Sequence, residues 1–326
     1  MKHFFLNLLG IVTLMASCSN TPKTQFTDMK ITILEREEAA LVDSIVAKPT
    51  KKFKHQYYTI YMRGSLSQYS IWIDDIMIFN FRGPKDFDGC PNGALQINNV
   101  LLKSGVHRAT CRVYPPYGKS QLDYMSTAQI SYNGRGADDF KEQREDEIFV
   151  LDAADLAEKI SDQRLEGLPY FEMSKLFYAE LPFENEGWSK SINLKKYDQD
   201  LLKKEINEAY NKIYNLILNR DVDSLRPLFK DFLEMRVKSF YLNLQNRNED
   251  SEWAGFVELI KNQELELLPL PEKAYLNFYA DGKMATLLDE NGNNIVILAD
   301  KKDPKKNAAL EFKFHKRSKD SPLEII

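Results

Sequence analysis

The 326-residue chain has little of the chemistry on which many enzymes and metal sites depend. It contains only three cysteines and four histidines, and no His-Glu-x-x-His, paired Cys-x-x-Cys or Gly-x-Ser-x-Gly sequence occurs. The metalloprotease, zinc-ribbon and α/β-hydrolase classes therefore lack their signatures. Gly134-Arg135-Gly136 has no third glycine at the spacing that a dinucleotide site requires. We expect no cofactor and no bound metal ion.

An excess of positive charge is also missing. Lys and Arg together number 44 against 48 for Asp and Glu, which gives a net charge of −4 at pH 7. Nucleic-acid binding depends on a strong basic excess, so we expect no nucleic-acid partner. The rest of the composition, with 43% apolar and 28% charged residues, is that of an ordinary globular protein. The length suits two domains.

Long apolar runs are absent except at the amino terminus. That run extends from Phe4 to Met15, follows the basic Lys2 and ends in two small residues before Cys18. It is shorter than the roughly 20 apolar residues that cross a bilayer, and no later stretch comes close, so we expect no polytopic membrane protein. The pattern predicts a secretory signal peptide over residues 1–17.

The residues Leu14-Met15-Ala16-Ser17-Cys18 resemble the lipobox of bacterial lipoproteins. The resemblance covers about the first twenty residues and implies cleavage before Cys18, with lipid attached to its thiol. Residues 18–26 would then form a polar tether. Ser19 follows the cysteine, and by the same resemblance this implies the outer membrane, with the protein facing the periplasm or the cell surface. The alternative is an ordinary signal peptide that leaves Cys18 as a free thiol.

Two cysteines remain if Cys18 is lipidated. Cys90 and Cys111 form an even pair in an oxidising compartment, which predicts a disulfide bond between them. Such a bond would stabilise the fold by about 3 kcal/mol. The alternative is two separate buried thiols.

Residues 27–194 show the pattern of a β-sandwich. Short runs of β-branched and aromatic residues alternate with turn residues between positions 57 and 132, and Asp74-Asp75 separates two runs as a hairpin turn would. Alternation along Val106 to Tyr114 places Cys111 on the inner face of a strand. The run from Leu95 to Leu102 predicts another strand.

Two further segments flank this pattern. Met29 to Ile33 alternates like a strand, and Glu35 to Ala47 has the spacing of a helix. Phe171 to Leu181 predicts the last strand of the domain, and we place the domain boundary near Leu194.

In residues 195–326 the apolar residues first recur with a period near 3.6, as in a helix, and then with a period of two, as in a strand. Apolar positions between Leu201 and Ile217 predict a helix with Asp198 or Asp200 as its N-cap. Asp223 is the expected cap of a second helix, and Trp253 to Ile260 predicts a third.

Four strands follow these helices, with hairpin turns expected at Asp281-Gly282 and Asn291-Gly292, and Leu323 to Ile326 would pair at an edge. We expect an α+β domain. The order of elements resembles NTF2-like or cystatin-like folds, and the resemblance implies a cone-shaped pocket that Asp231 or Glu234 could enter as a base.

Other residues with potential chemistry are better explained by structure. Asp86-Phe87-Asp88-Gly89 resembles the start of a calcium loop, but Ile97 stands where an EF-hand needs a glutamate. Asp74 and Asp75 are expected to be turn residues and not a shared-proton pair, and His107 is expected to be a hydrogen-bonded structural residue.

Tyr114, Tyr117 and Tyr124 are the candidate binding residues. They follow a predicted strand closely enough to cluster on a loop at the end of the sandwich, where tyrosine rings can stack on sugars or anchor a protein. Packing of these rings in the core is the alternative.

An anchor, two domains and no catalytic constellation predict a non-enzymatic envelope lipoprotein that binds a protein or glycan. One alternative is an immunity lipoprotein that neutralises a toxin in the periplasm. A second alternative is an NTF2-like pocket enzyme.

Overall fold

The protein forms two compact units that divide between Glu184 and Asn185. The computed structural model describes residues 40–50, 55–81, 92–136, 144–161, 164–242, 251–290, 292–303 and 307–326. The division comes before the predicted boundary near Leu194, because the intervening residues hydrogen-bond within the second unit. Asn185 Nδ2 donates to Ser239 Oγ at 2.9 Å, and the Ile192 amide donates to the Lys316 carbonyl at 3.0 Å.

The first unit is a β-sandwich with one added helix. One sheet has the strand order β1-β9-β6-β3-β4 and the other β5-β2-β7-β8, and all neighbours are antiparallel except β1 and β9. The strands are β1 (Ala40–Ala47), β2 (Gln56–Ser65), β3 (Gln68–Ile73), β4 (Ile76–Phe81), β5 (Gly93–Gln96), β6 (Gly105–Tyr114), β7 (Thr127–Gly136), β8 (Arg144–Asp152) and β9 (Phe171–Ala179), and helix α1 is Ala153–Ser161.

Alternating apolar residues build the core of the sandwich. Ala109, Cys111 and Val113 on β6 are fully buried, which confirms the inward face predicted for Cys111. Tyr132 on β7 lies 4.1 Å from Phe177 on β9, measured between ring centroids, so aromatic rings join the two sheets. Contacts between aromatic rings bury much apolar area, so this pair stabilises the packing of one sheet on the other.

The predicted hairpin at Asp74-Asp75 is present between β3 and β4. Asp74 adopts the left-handed region with a φ of 52°, a conformation that aspartate tolerates in tight turns. Its carboxylate accepts a hydrogen bond from the Arg108 amide and contacts His107 Nδ1, both at 2.9 Å. His107 Nε2 lies 3.1 Å from the Lys103 carbonyl, so His107 is a hydrogen-bonded structural residue, as expected.

Two secondary-structure predictions for the first unit are wrong. Residues 40–47, expected in a helix, form the edge strand β1, because pairing with β9 outweighs a weak helical pattern. The strand expected from Leu95 to Leu102 ends at Gln96, and a 3-10 turn covers Asn98–Val100. The segments Met29 to Ile33 and Asp86 to Gly89 lie outside the described residues.

Asn98 explains why β5 is short. Its fully buried side chain accepts a hydrogen bond from the Tyr58 amide at 2.7 Å and donates one to the Gln56 carbonyl at 2.8 Å. These are backbone groups of β2 beyond its last pairing with β5. The Asn98 side chain therefore supplies hydrogen bonds to β2 at the point where the backbone of β5 turns away from it.

We predict that Asn98→Ala lowers the free energy of unfolding by about 2–4 kcal/mol, because it removes hydrogen bonds from two buried backbone groups. Asn92→Ala is the matched control, since Asn92 accepts one exposed hydrogen bond from the Gly64 amide. That variant should lose less than about 1 kcal/mol. Urea unfolding followed by circular dichroism measures both changes, and equal losses would contradict the role given to Asn98.

The second unit combines helices with two sheets. The sheets have the orders β10-β13-β14 and β11-β12-β15-β16, and all their pairs are antiparallel. The helices are α2 (Gln199–Leu218), α3 (Val222–Leu225), α4 (Lys230–Ser239) and α5 (Ser251–Lys261). The strands are β10 (Leu265–Leu267), β11 (Tyr275–Tyr279), β12 (Met284–Leu288), β13 (Val296–Asp300), β14 (Asn307–Leu310), β15 (Phe314–His315) and β16 (Glu324–Ile325).

Side-chain caps set the helix starts. Asp198 accepts hydrogen bonds from two amides of the first turn of α2, as predicted. The cap of the next helix is Asp221, which accepts from the Ser224 amide, and not Asp223. The predicted second helix is also divided, because Pro227 has no amide hydrogen to donate, and a 3-10 turn over Arg226–Phe229 separates α3 from α4.

The strands do not form one continuous meander. The turn at Asp281-Gly282 joins β11 to β12 as predicted, with Asp281 and Gly282 both at positive φ. No ladder joins β12 to β13 among the described residues, however, and one isolated bridge from Leu288 to Asn294 marks the change of sheet. That antiparallel bridge closes a turn in which the Gly292 amide donates to the Asp289 carbonyl at 3.1 Å, at the place predicted for a hairpin turn, while Asn291 lies outside the described residues.

Aromatic side chains fill the interior of the second unit. Phe229 packs edge-on against Phe256 and Phe312, and Tyr210 packs edge-on against Phe314, with centroid separations of 5.4–5.9 Å. Each of these rings is almost completely buried. Within the described residues, no helix is both long and apolar enough to cross a membrane.

Candidate functional site

A histidine and three carboxylates meet at one place in the second unit, and we call this group the carboxylate–histidine cluster. His315 lies on β15, Glu324 on the neighbouring β16, Asp231 in the first turn of α4 and Glu186 in the segment before α2. Register pairs His315 directly with Glu324. Facing residues of paired strands lie about 5 Å apart, so the sheet itself brings these two side chains together.

His315 is fully buried, and only one of its ring nitrogens has a hydrogen-bond partner. Nδ1 lies 2.7 Å from Ser191 Oγ. Nε2 has no hydrogen bond and lies 3.6 Å from Glu324 Oε2 and 3.9 Å from Asp231 Oδ2. The pKa of His315 is lowered to about 4, chiefly by burial and secondly by the nearby Arg317 charge, against the opposing effect of Asp231 and Glu186. The imidazole is therefore neutral at pH 7.

Arg317 supplies the positive charge of the cluster. Its guanidinium contacts Glu186 at 2.5 Å, Glu324 at 2.9 Å and Asp231. The Glu186 carboxylate also contacts Lys190, and these contacts hold its pKa below the usual value. The Arg317 side chain is 41% exposed, so it covers the cluster from the solvent side.

A second feature is a groove with a volume of about 370 Å³ in the same unit. One wall is the face of α2 that carries Lys203, Asn207 and Asn211, which recur at a spacing of four residues. The opposite wall is the segment 270–275, which ends in Tyr275 at the start of β11. Tyr275 is 52% exposed, so an aromatic ring and several polar groups line one concave surface.

A third feature is a rigid turn in the first unit, which exposes Tyr124 and Met125. These side chains are 55% and 62% exposed. Asp123 Oδ1 accepts from the Met125 amide at 2.9 Å, and Ser126 Oγ donates to the Leu66 carbonyl at 2.6 Å. The turn is thus fixed at both ends, and the Arg164 guanidinium lies 5.7 Å from the centroid of the Tyr124 ring.

The three tyrosines predicted as binding residues do not share one exposed platform. Tyr114 is 4% exposed, because the end of β6 turns its ring inward against Tyr170, at 5.3 Å between centroids. Tyr117 is half-buried in the following loop. Tyr124 alone of the three is well exposed.

The structure describes one of the three cysteines, Cys111. Cys111 is a fully buried free cysteine in the structure, and burial raises the pKa of its thiol. Cys90 and Cys18 lie outside the described residues, so the disulfide bond and the lipid attachment stay predictions.

The carboxylates predicted as possible bases have different surroundings. Asp231 contacts Arg317 in the cluster, and Glu234 is an exposed residue whose carboxylate lies 3.9 Å from the Lys230 ammonium. Sequence reasoning missed His315 and Glu324, because they are ordinary strand residues when considered alone. The available signal was the alternation of Phe312 and Phe314 with Glu311, Lys313 and His315, which indicates charged groups next to a core.

Comparison with known proteins adds no relative. No family model, no curated protein and no solved structure matches the chain.

We predict that His315 makes the stability of the second unit depend on pH. Its pKa is about 4 in the folded chain against an ordinary value of 6.5, so the unfolded chain takes up the proton first as the pH falls. The free energy of unfolding therefore has its full value above pH 6.5 and falls between pH 6.5 and 4, by up to about 3 kcal/mol. Urea unfolding at a series of pH values, in EDTA, measures this slope. His315→Gln should flatten it, and an unchanged slope in that variant would contradict the assignment.

Proposed function

We propose that the chain is a lipid-anchored binding protein of the bacterial envelope, and that the groove of the second unit binds an envelope glycan. The observation that carries the glycan assignment is the exposed Tyr275 ring at the edge of a groove with amide and charged side chains. The anchor rests on the lipobox-like residues that end in Cys18.

The groove has the groups that recognise sugars. A tyrosine ring offers an apolar face to the C–H groups of a sugar ring. The amides of Asn207 and Asn211 can each donate and accept, as hydroxyl groups require, and Lys203 and Lys273 outnumber Glu272. The surplus of positive charge favours a glycan that carries carboxylates.

The anchor has a direct test. Wild-type protein expressed in a diderm bacterium should fractionate with the outer membrane, because several acyl chains give stable membrane attachment. Cys18→Ser should remove the lipid and release the protein from the membrane. Mass spectrometry of the purified amino terminus measures the modification. An unmodified wild-type terminus, or a variant that stays in the membrane, would refute the anchor.

A second candidate function is supported by the turn at Tyr124 and Met125. An exposed aromatic residue and an exposed methionine on a fixed turn are suited to a protein interface, because they bury much area with little loss of entropy. The partner would be a protein, and a toxin neutralised by an immunity lipoprotein is one such case.

One experiment separates the two candidates, because Tyr275 and Tyr124 are almost equally exposed on different units. The full chain is co-sedimented with purified peptidoglycan sacculi and titrated with soluble peptidoglycan fragments. Tyr275→Ala should weaken glycan binding about five- to tenfold, while Tyr124→Ala should bind like the wild type.

Other outcomes decide against the glycan. Wild-type protein that binds no peptidoglycan, or equal binding by the Tyr275 variant, would refute the glycan assignment. Crosslinking in intact cells that captures a protein from the wild type but not from Tyr124→Ala would support the second candidate instead.

A further inference from the structure

The starting observation is the Nε2 atom of His315. The side chain is fully buried, yet this nitrogen has no hydrogen-bond partner. Most buried polar atoms have at least one partner, and a buried atom without one needs an explanation. The nearest polar groups are Glu324 and Asp231, whose oxygens lie 3.6 and 3.9 Å away. Both distances exceed the usual upper limit of about 3.2 Å for such a hydrogen bond.

The three groups have the spacing of metal ligands. One nitrogen of His315 and one carboxylate oxygen from each of Asp231 and Glu324 all lie within 4.8 Å of one another. Ligands about 2.0–2.2 Å from a tetrahedral zinc ion lie about 3.3–3.6 Å from each other. The distances from Nε2 are therefore within a few tenths of an ångström of what a bound ion requires. Small rotations of two partly exposed carboxylates can supply the remainder.

The surroundings of His315 also suit a ligand. A metal-binding histidine usually donates its other ring N–H to a neighbouring group, and this contact fixes the orientation of the ring. Ser191 Oγ, 2.7 Å from Nδ1, can accept that hydrogen bond. With the proton on Nδ1, Nε2 directs its lone pair towards the two carboxylates.

We propose that Asp231, His315 and Glu324 form a binding site for a divalent transition-metal ion of the zinc class. One imidazole nitrogen and two carboxylate oxygens are a common ligand set for such ions, whereas calcium and magnesium prefer oxygen ligands alone. The three ligands come from α4, β15 and β16, so secondary structure fixes the position of each one.

Arg317 competes with the metal ion for this site. Its guanidinium contacts the same two oxygens, Asp231 Oδ2 and Glu324 Oε2, that face Nε2. In the metal-free protein it neutralises the carboxylates that the ion would otherwise neutralise. Because Arg317 is 41% exposed, its side chain can move into solvent when an ion binds. Removal of this side chain should therefore strengthen metal binding.

The test uses the full chain after any bound metal has been removed with EDTA. Isothermal titration calorimetry measures the binding of Zn²⁺, and visible absorption measures the binding of Co²⁺. The wild type should bind one Zn²⁺ per chain and give the intense absorption of low-symmetry Co²⁺. Asp231→Asn and Glu324→Gln should each weaken Zn²⁺ binding about tenfold or more, and Arg317→Gln should strengthen it by a similar factor.

Glu234→Gln is the matched control. Glu234 is an exposed carboxylate on the same helix as Asp231 and lies outside the cluster, so this variant should bind Zn²⁺ like the wild type. Asp231 and Glu324 are partly exposed, so their variants keep the test valid even where His315→Gln fails to fold. Circular dichroism confirms the fold of each variant.

Three results would overturn the site. The first is that the wild type shows no saturable one-to-one binding of Zn²⁺. The second is that the Asp231 and Glu324 variants bind Zn²⁺ as tightly as the wild type. The third is that Glu234→Gln loses as much Zn²⁺ affinity as those variants. Unchanged affinity in Arg317→Gln would overturn the competing role of the guanidinium.

Discussion

The contacts of one guanidinium hold together distant parts of the second unit. Arg317 joins Glu186 from the segment before α2, Asp231 from α4 and Glu324 from β16. Three carboxylates at this spacing would repel one another without a positive charge between them. They also lie beside an imidazole that burial keeps neutral, so His315 cannot supply that charge itself at pH 7. In the metal-free protein, the Arg317 guanidinium thus balances the charges of the candidate site.

Local patterns predicted much of the fold. The alternation along β6 predicted that Cys111 faces inward, Asp74-Asp75 predicted a tight turn, and Asp198 predicted the start of α2. Each of these features is determined within a few residues of chain, where spacing and side-chain chemistry are sufficient. Pro227 also carried a usable signal, since its missing amide hydrogen divides the second predicted helix.

The candidate site could not be predicted in the same way. Asp231 and Glu324 are more than ninety positions apart, and only the pairing of β15 with β16 and the docking of α4 bring them to His315. Tyr114 shows the same limit, because its burial depends on Tyr170, which lies far along the chain. Helical spacing over residues 40–47 was overruled by pairing with β9 for a related reason. Contacts between distant residues decided each of these outcomes.

Under the proposed anchor at the amino terminus, the parallel pairing of β1 with β9 has a mechanical consequence. The relevant load is a pull on Ala40, the start of β1, against Ala179, the end of β9. In parallel strands these two points lie at opposite ends of the pair, so the pull acts along the strand direction. Many hydrogen bonds between the strands then share the load at once. An antiparallel edge strand would instead be peeled away one bond at a time.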